Sequence, residues 1–395
     1  MNSSSSADRE PTYAHLYPFG EHVHDIDLSD RPWKERQIDL DFQFPYYGFR
    51  FNYTFIYPEG FLSFGTPRYI QPPYSFPNTR WPHQPDPSLI CVFMSEQSSA
   101  FVGEKRISHL WFRLVRRPVQ DLGFREEDIS AIRARTGTKR RQRVAPGRVE
   151  DNALLNVISR DIEEGMVGAR GFMAEFALIV TWERMGHGGV PRYLELDRYN
   201  EVLKWQNTYQ TVLATDEIRS FVIFNYGNIN WTSSAAAGAP TGRGGRQSAL
   251  VGFNGGNGTG FHELPYSANG YSYGLAMYGS ANVAGRWMAR VDEQIVFGGC
   301  LNDSTGKAAV EIDTVSMMGG HAINVSGPCF RQTDLIRLQI EEFMVDCQRI
   351  NMVKAYCVLP PDVLFRAGYY PIGVSTNGGQ TFQWWDDILV VVGVK

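Results

Sequence analysis

The sequence predicts a mainly β protein built from antiparallel sheets. Short runs of aromatic and β-branched residues recur at roughly 10-residue spacing, separated by turns rich in proline and glycine. Glycine and proline are frequent, at 39 and 21 residues, as an architecture with many tight turns requires. The 395 residues are 43% hydrophobic and 13% aromatic, which is typical of a globular chain with room for two or three domains.

The first 115 residues predict a polar tail and then a sandwich-like β region. Residues 1–12 are polar, and we expect them to form a flexible tail. Residues 13–115 contain short strands divided by proline-rich turns. The run 109–115 alternates polar and apolar residues, as a half-buried strand does.

The next segment predicts a helical and basic insertion at about 120–165. Residues 126–133 suit a short helix with acidic residues near its N-terminus, where the helix dipole favours them. Residues 151–164 predict a second helix, because apolar residues recur along one broad face. Between them, residues 133–148 are strongly basic and contain no acidic residue.

The densest β pattern lies at residues 205–254. Three β-prone runs, 207–213, 221–226 and 249–254, are separated by turn-forming residues and a long loop of glycine, serine and alanine. We expect these runs to form antiparallel sheet in a domain that presents a surface rather than a catalytic pocket.

Four motifs in order resemble the nidogen-like (NIDO) extracellular domain. They are Leu16–Gly20, the hairpin-like run Phe55–Phe64, the strand-like run Phe176–Glu183 and the segment 205–254. The resemblance covers roughly residues 16–295 and places a NIDO domain, with an antiparallel β-sandwich-like fold, at 13–297. It implies an extracellular protein.

Residues 308–392 resemble an IPT/TIG domain, which implies an immunoglobulin-like (E-set) β-sandwich. The resemblance rests on the run 317–330, with its Gly-Pro-Cys-Phe end, on 355–361 and on 371–382, where Asn377-Gly378 indicates a hairpin. Four clustered cysteines, Cys300, Cys329, Cys347 and Cys357, favour two disulfides in a secreted chain, with three possible connectivities. Many TIG domains place the partner of the later cysteine where this chain has Leu338, so Cys347 and Cys329 both remain candidate partners of Cys357.

A NIDO domain followed directly by a TIG-like domain resembles the N-terminal half of the mesh family of junction proteins. That resemblance implies cell–cell or cell–matrix adhesion, with extracellular matrix or junction proteins as partners. Sequons for N-glycosylation support an extracellular location, and outside the tail they lie at Asn52, Asn230, Asn257, Asn302 and Asn324. The sequence shows no secretory signal and no apolar run long enough to span a membrane, and we expect a fragment, a gene model or an isoform that lacks a signal at one end and further domains at the other, with an anchor in a longer full-length form.

The basic run admits several interpretations. Lys139, Arg140, Arg141 and Arg143 form a candidate site for proteolytic processing. Clustered cations also attract anionic glycans, and they resemble a nuclear-localisation patch, whereas a loop that is merely solvated is the simplest alternative. The net charge of −4 argues against nucleic acid as a partner of the whole chain.

Candidate chemistry is sparse, and we predict no catalytic residue, no cofactor and no metal site. Residues 21–27 offer metal-ligand residue types but fail the calcium-loop spacing, so we expect a solvated acidic turn. The glycine-rich run 238–260 fits no phosphate-binding spacing. Cys91 lies in an apolar run where a thiol is usually inert, and Glu175 and Glu183 are expected to be surface carboxylates rather than an acid/base pair.

The leading hypothesis is therefore a non-catalytic adhesion module. The alternative is a secreted carbohydrate-binding or glycan-processing β protein, and an intracellular regulator imported through the basic run is a weaker third. A set of aromatic residues supplies interface candidates, although packing in the core or between domains is the favoured expectation for them. They are Tyr271, Tyr273, Tyr278, Tyr369, Tyr370, Trp384 and Trp385.

Overall fold

The computed structural model describes most of the chain. The described residues are 13, 15–29, 34–65, 70–99, 101–102, 105–117, 149–166, 168–189, 205–280, 283–298, 309–310, 314–316, 318–326, 330–331, 333–350, 354–361 and 366–392. The predictions for the tail 1–12, the helix 126–133, the basic run 133–148, Cys300, Asn302 and Cys329 lie outside these residues.

In the part of the chain that matches the NIDO motifs, the described residues form two large antiparallel sheets and one small two-stranded sheet. The helical segments among its described residues are a 3-10 turn at Glu21–Val23, α1 at Val149–Gly165 and the short α2 at Gly274–Met277. Its strands, in chain order, are β1 (Ile26–Asp27), β2 (Arg36–Tyr46), β3 (Phe49–Tyr57), β4 (Phe61–Ser63), β5 (Leu89–Met94), β6 (Gln97–Ser98), β7 (Phe101–Val102), β8 (Lys105–Arg106), β9 (His109–Arg116), β10 (Phe176–His187), β11 (Asn207–Thr215), β12 (Ser220–Asn228), β13 (Leu250–Asn254), β14 (Phe261–Glu263), β15 (Arg286–Arg290) and β16 (Val296–Phe297).

The two sheets pack face to face, as the sandwich prediction requires. The first sheet has the order β1-β9-β10-β11-β12-β15-β16, with β6 added at one end of β10, and the second has the order β14-β13-β5-β4-β3-β2. Side chains from both sheets fill the space between them; the rings of Phe224 and Phe253, for example, stack with centroids 5.2 Å apart. Two hydrogen bonds also cross this core: the Trp182 indole donates to the Tyr57 carbonyl at 2.9 Å, and the Tyr226 hydroxyl donates to the Val92 carbonyl at 2.6 Å.

The outer face of each sheet is covered as well. Alternate residues of β10 point away from the central core, and Ala177 and Ile179 pack under α1. Leu155, Ile158 and Ile162 form the buried face of that helix, in agreement with the predicted helix at 151–164. On the second sheet, residues around 70–76 cover the outward side chains of β4 and β5. The fold is therefore layered as helix, sheet, sheet and loop.

The three strands predicted within 205–254 form, and they belong to two different sheets. Strands β11 and β12 pair along their whole length in the first sheet. Strand β13 pairs instead with β5 in the second sheet, because the long connection 229–249 crosses from one layer to the other. All three runs therefore form antiparallel sheet, as predicted, and they are divided between the two sheets.

A buried arginine ties α1 and the N-terminal segment to the first sheet. Arg286 on β15 is only 7% exposed. Its guanidinium donates to the Asp161 carboxylate of α1 at 2.7 Å, to Asn225 of β12 at 2.9 Å and to the His15 carbonyl at 2.5 Å. The Tyr17 hydroxyl also donates to Asp161, at 2.8 Å. Each buried charge is thus paired, as a low-dielectric interior demands.

The C-terminal residues form a separate β unit with its own core. The order of strands along its sheet is β17-β19-β22-β21-β20-β23-β24-β18. Neighbouring strands are antiparallel except for the parallel pair β18·β24. Their bounds are β17 (Ala309–Val310), β18 (Thr314–Ser316), β19 (Ala322–Ser326), β20 (Arg337–Ile340), β21 (Phe343–Arg349), β22 (Lys354–Val358), β23 (Gly368–Ser375) and β24 (Gln383–Val392). Asn377-Gly378 lies in the β23–β24 connection, as predicted.

A disulfide joins the neighbouring strands β21 and β22. Cys347 and Cys357 are direct partners in the strand register and are bonded to each other. Of the two partners that the sequence left open for Cys357, the structure therefore has Cys347.

We expect Arg286→Met to lower the free energy of unfolding by about 3–5 kcal/mol, because the substitution removes the guanidinium that pairs with the largely buried Asp161 carboxylate and that donates to Asn225 and to the His15 carbonyl. Arg160→Met is a matched control, since Arg160 is an exposed side chain 4.0 Å from the same carboxylate, and its effect should stay within about 0.5 kcal/mol. Urea denaturation of the two variants measures both values. Equal effects would show that the Arg286 ion pair does not anchor α1.

Candidate interaction surface

A cluster of exposed aromatic side chains follows the edge strand β14. Tyr271, Tyr273, Met277 and Tyr278 are 65%, 44%, 59% and 54% exposed, and we call these four residues the tyrosine surface. The expectation that the three tyrosines pack in a core or between domains is therefore wrong. Exposed tyrosines are over-represented among residues that dominate protein interfaces.

The backbone beneath the tyrosine surface is held by specific bonds. The Ser272 hydroxyl contacts the carbonyls of Tyr266 and Asn269 at 2.9 and 2.8 Å. The Trp287 indole of β15 donates to the Leu275 carbonyl at 2.8 Å, which fixes α2 against the first sheet. The surface is thus presented by a fixed scaffold, and binding would cost little ordering entropy.

Ring stacking and one glycine complete this support. The rings of Tyr266 and Tyr278 stack with centroids 5.4 Å apart, and Tyr266 also contacts the Trp287 ring edge-on. A Cβ atom on Gly274 would lie 2.9 Å from the Tyr266 ring, so a larger residue there would displace that ring. The orientation of Tyr278 therefore depends on Gly274.

The tyrosine surface belongs to an uncharged segment. Residues 264–280 contain no aspartate, glutamate, lysine or arginine. Electrostatic steering by this segment is therefore absent, and the contacts that it offers are apolar area and phenolic hydroxyl groups. A partner that fits it is a protein with an uncharged, largely apolar patch of its own.

An open pocket lies in the loop that covers the second sheet. It has a volume of about 430 Å³ and includes Tyr74, Asn78, Arg80 and Gln84 among its lining residues. Its lining contains no carboxylate, histidine or cysteine, so this pocket lacks an acid/base pair or a thiol nucleophile.

The glycine-rich connection before β13 forms a packed loop rather than a phosphate cradle. The N–H groups of Gly238, Ala239 and Gly242 all donate to carbonyls within the loop. A phosphate cradle needs N–H groups that point toward the anion, and these three are already used. Gly242 itself packs against Trp231 and His187, where a Cβ atom would lie 3.0 Å and 3.1 Å from their side chains.

The acidic turn at 21–27 is solvated as predicted at Glu21, His22 and His24, but not at Asp25. The Asp25 side chain is 1% exposed, lies 3.3 Å from the Arg113 guanidinium and accepts a hydrogen bond from the Gly20 N–H at 2.8 Å. Burial raises the pKa of Asp25, although Arg113 opposes that shift. Among the described residues, no group of three or more histidine, cysteine or acidic side chains is arranged to hold a metal ion.

The remaining chemical candidates have structural roles. Cys91 is fully buried in β5, as predicted, and burial raises the pKa of its thiol well above the usual value. Glu183 accepts a hydrogen bond from the Trp111 indole at 2.7 Å, and Glu175 lies 3.6 Å from Arg117. The two carboxylates are therefore each engaged with a different neighbour.

The described sequons differ in exposure. Asn257 and Asn324 are exposed, Asn52 is half-buried on β3, and Asn230 is exposed with its side-chain amide donating to the Gln206 carbonyl at 2.9 Å. The hydroxyl of Thr54, the third residue of the Asn52 sequon, is buried and donates to the Ser63 carbonyl. No helix in the described part of the chain is long and apolar enough to cross a membrane.

Sequence reasoning missed two residues that help to build exposed surfaces. Met277 belongs to the tyrosine surface, and its position four residues after Tyr273 on a helical turn was the available signal. Trp81, interpreted only as part of a proline-rich turn, is 40% exposed and lies against Gly258. No sequence pattern links residues that are so far apart in the chain.

Comparison with known proteins identifies the first unit. The family described as Nidogen-like domain matches residues 52–293, which is more than half of the chain. Protein mesh of Bombyx mori is 33% identical over 88% of this chain, and an uncharacterised protein of Caenorhabditis elegans is 30% identical over 90%. Alpha-tectorin of Homo sapiens is 36% identical over 35% of the chain.

These relatives are much longer than this chain. The matched region spans 20% of protein mesh, 26% of the Caenorhabditis elegans protein and 6% of alpha-tectorin. The similarity therefore concerns one part of each relative.

We expect stability to fall as the pH drops below about 6.5, in part through His187. His187 is 1% exposed, and burial lowers its pKa despite the nearby Gly188 carbonyl. The pKa of His187 is lower in the folded state than in the unfolded state. The stability that the neutral side chain contributes is therefore fully present above the unfolded-state pKa, and it is lost as the pH falls toward the folded-state pKa. Thermal unfolding at pH 7.5 and 5.5 (values chosen to bracket about 6.5) measures the loss.

The first of two matched variants is His187→Phe, which removes the titrating group. The second is Trp231→Phe, which changes the packing next to His187 and keeps the histidine. His187→Phe should show a smaller loss of melting temperature between the two pH values, whereas Trp231→Phe should keep the wild-type difference. An unchanged difference in His187→Phe would rule out this role.

Proposed function

The chain belongs to the nidogen-like domain family, and from that membership we propose that it is a non-catalytic, extracellular adhesion module. In this proposal the chain binds matrix or junction proteins through the tyrosine surface. The single observation that carries the proposal is this surface, because four large side chains are exposed together on a scaffold fixed by hydrogen bonds and ring stacking. Similarity to protein mesh over most of the chain supports an epithelial junction as the place of action.

The non-catalytic part of the proposal is supported by how the buried charges are used. Asp161 and Arg286 pair with each other, and Asp25 pairs with Arg113, so these groups stabilise contacts between elements of the fold. Catalytic carboxylates instead face a cleft in which a substrate can reach them.

We also propose that the C-terminal unit is the IPT/TIG-like domain and that it extends the adhesive ectodomain. The support is a separate apolar core, an eight-stranded sheet and the disulfide between β21 and β22. Cys300 and Cys329 stay candidates for a second disulfide. The basic residues Lys139, Arg140, Arg141 and Arg143 stay a candidate processing site, with anionic glycans as the alternative ligand.

The experiment uses the full chain, secreted from eukaryotic cells with an added leader and applied to epithelial monolayers and to purified matrix. We expect Tyr271→Ser/Tyr273→Ser to weaken attachment at least about tenfold, because hot-spot side chains each contribute 2 kcal/mol or more. Ile218→Ser is the matched control: Ile218 is 73% exposed in the β11–β12 turn, outside the tyrosine surface.

The salt dependence of attachment distinguishes binding through the tyrosine surface from binding through the basic run. Raising the ionic strength from about 0.1 M to about 1 M shortens the Debye length from about 10 Å to about 3 Å, so it should leave attachment through the uncharged segment largely intact. Attachment that disappears at high salt and survives Tyr271→Ser/Tyr273→Ser would assign binding to the basic run instead. Binding to a glycan array, or turnover in a panel of glycoside substrates, would favour the carbohydrate alternative.

A further inference from the structure

The β13–β14 turn holds one of the sequons in a fixed and exposed shape. Asn257, Gly258 and Thr259 lie at its tip, and all three are exposed. The Asn257 N–H donates to the Asp86 carbonyl at 2.7 Å, and the Thr259 N–H donates to the Gly256 carbonyl at 2.8 Å. Asn257 has a φ of +49°, which asparagine tolerates better than most residues.

The middle residue of this sequon lets an indole ring lie beside it. A Cβ atom on Gly258 would be 3.3 Å from the Trp81 indole nitrogen, and Gly258 has a φ of +74°, so glycine suits both the turn and the close approach. Trp81 is nevertheless 40% exposed. Phe261, four residues after Asn257, is also 40% exposed and contacts the ring of Phe76, from the same loop as Trp81.

A partly exposed indole beside a sequon is a good match for a sugar. The C–H-bearing face of an N-acetylglucosamine ring is apolar enough to pack on an indole, and its hydroxyl groups remain in water. By contrast, Asn52 is half-buried, and the side-chain amide of Asn230 is held by a backbone carbonyl. Of these three sequons, only that of Asn257 has the exposure, the turn and the neighbouring aromatic ring together.

We propose that Asn257 carries an N-linked glycan whose first N-acetylglucosamine packs against Trp81. In the reaction, the Asn257 side-chain nitrogen forms a bond to the anomeric carbon of a lipid-diphosphate-linked oligosaccharide. The bond from that carbon to the diphosphate oxygen breaks, the lipid diphosphate leaves, and the nitrogen gives up one proton to a base of the host oligosaccharyltransferase. The packed sugar then stabilises the loop 70–86 against the β13–β14 turn.

The inference rests on the extracellular location in the proposed function, because the donor and the transferase act in the secretory pathway. The test of occupancy is peptide mapping of the full chain, secreted from cells that make only oligomannose glycans. Enzymatic release of the glycan in heavy-oxygen water should convert Asn257 to labelled aspartate, and Thr259→Ala should abolish the label while Thr259→Ser keeps it. An unmodified Asn257 beside an occupied Asn324 would overturn the inference and leave the proposed function standing. A secreted chain with no occupied sequon would count against both.

The test of packing compares the melting temperatures of three forms. They are the fully glycosylated protein, the same protein trimmed to one N-acetylglucosamine, and the variant Thr259→Ala, which is never glycosylated at residue 257. We expect the first two to agree and the third to melt about 2–4 °C lower. In Trp81→Ala that difference should vanish, and in Trp81→Tyr, which keeps an aromatic face, most of it should remain. A difference that persists in Trp81→Ala would overturn the packing.

Discussion

The fold depends on one constraint: the central strands must be shielded from water on both faces. All nine residues of β11 and all six residues of β5 are buried, so neither strand has a face turned to solvent. A two-layer sandwich covers only one face of each sheet. The helix α1 and the loop at 70–88 supply the missing layers, and both are therefore structural parts of the domain rather than decoration.

Covering the outer face of the first sheet brings polar groups into the interior, and they must find partners there. Gln210 of β11 accepts a hydrogen bond from the Tyr17 N–H and donates to the Tyr17 carbonyl, at 3.0 Å in both cases. Arg286 contacts the same N-terminal segment at His15 and holds α1 through Asp161. An unpartnered buried amide or guanidinium would cost several kcal/mol, so the segment near residue 17 is held in place by the needs of the sheet. These bonds explain why the motif Leu16–Gly20 belongs to the domain although it precedes β1.

The sequence predicts local structure well and spatial partners poorly. Alternation identified β9, the apolar face identified α1, and Asn377-Gly378 identified the last hairpin, because each signal lies within a few residues of the chain. The sheet that β13 joins depends on where a connection of some twenty residues leads, and no local pattern records that. The burial of Asp25 depends on Arg113, which is distant in sequence, and the exposure of Tyr271 depends on how α2 docks on Trp287. Residue type alone could not separate a core tyrosine from an exposed tyrosine.

The Asn257 sequon and the tyrosine surface lie on either side of β14 in the chain, and the physics of sheet edges gives this position a meaning. β14 is a three-residue edge strand whose residues are all exposed, and an edge strand offers unpaired backbone groups to any passing strand. Its shortness limits that risk. The turn that contains Asn257 precedes β14, and the segment that carries the tyrosine surface follows it. A glycan at Asn257 would add bulk on the first side, and a partner on the tyrosine surface would occupy the second. In the adhesion module that we propose, this arrangement would let one partner bind while it hinders edge-to-edge pairing between copies of the chain.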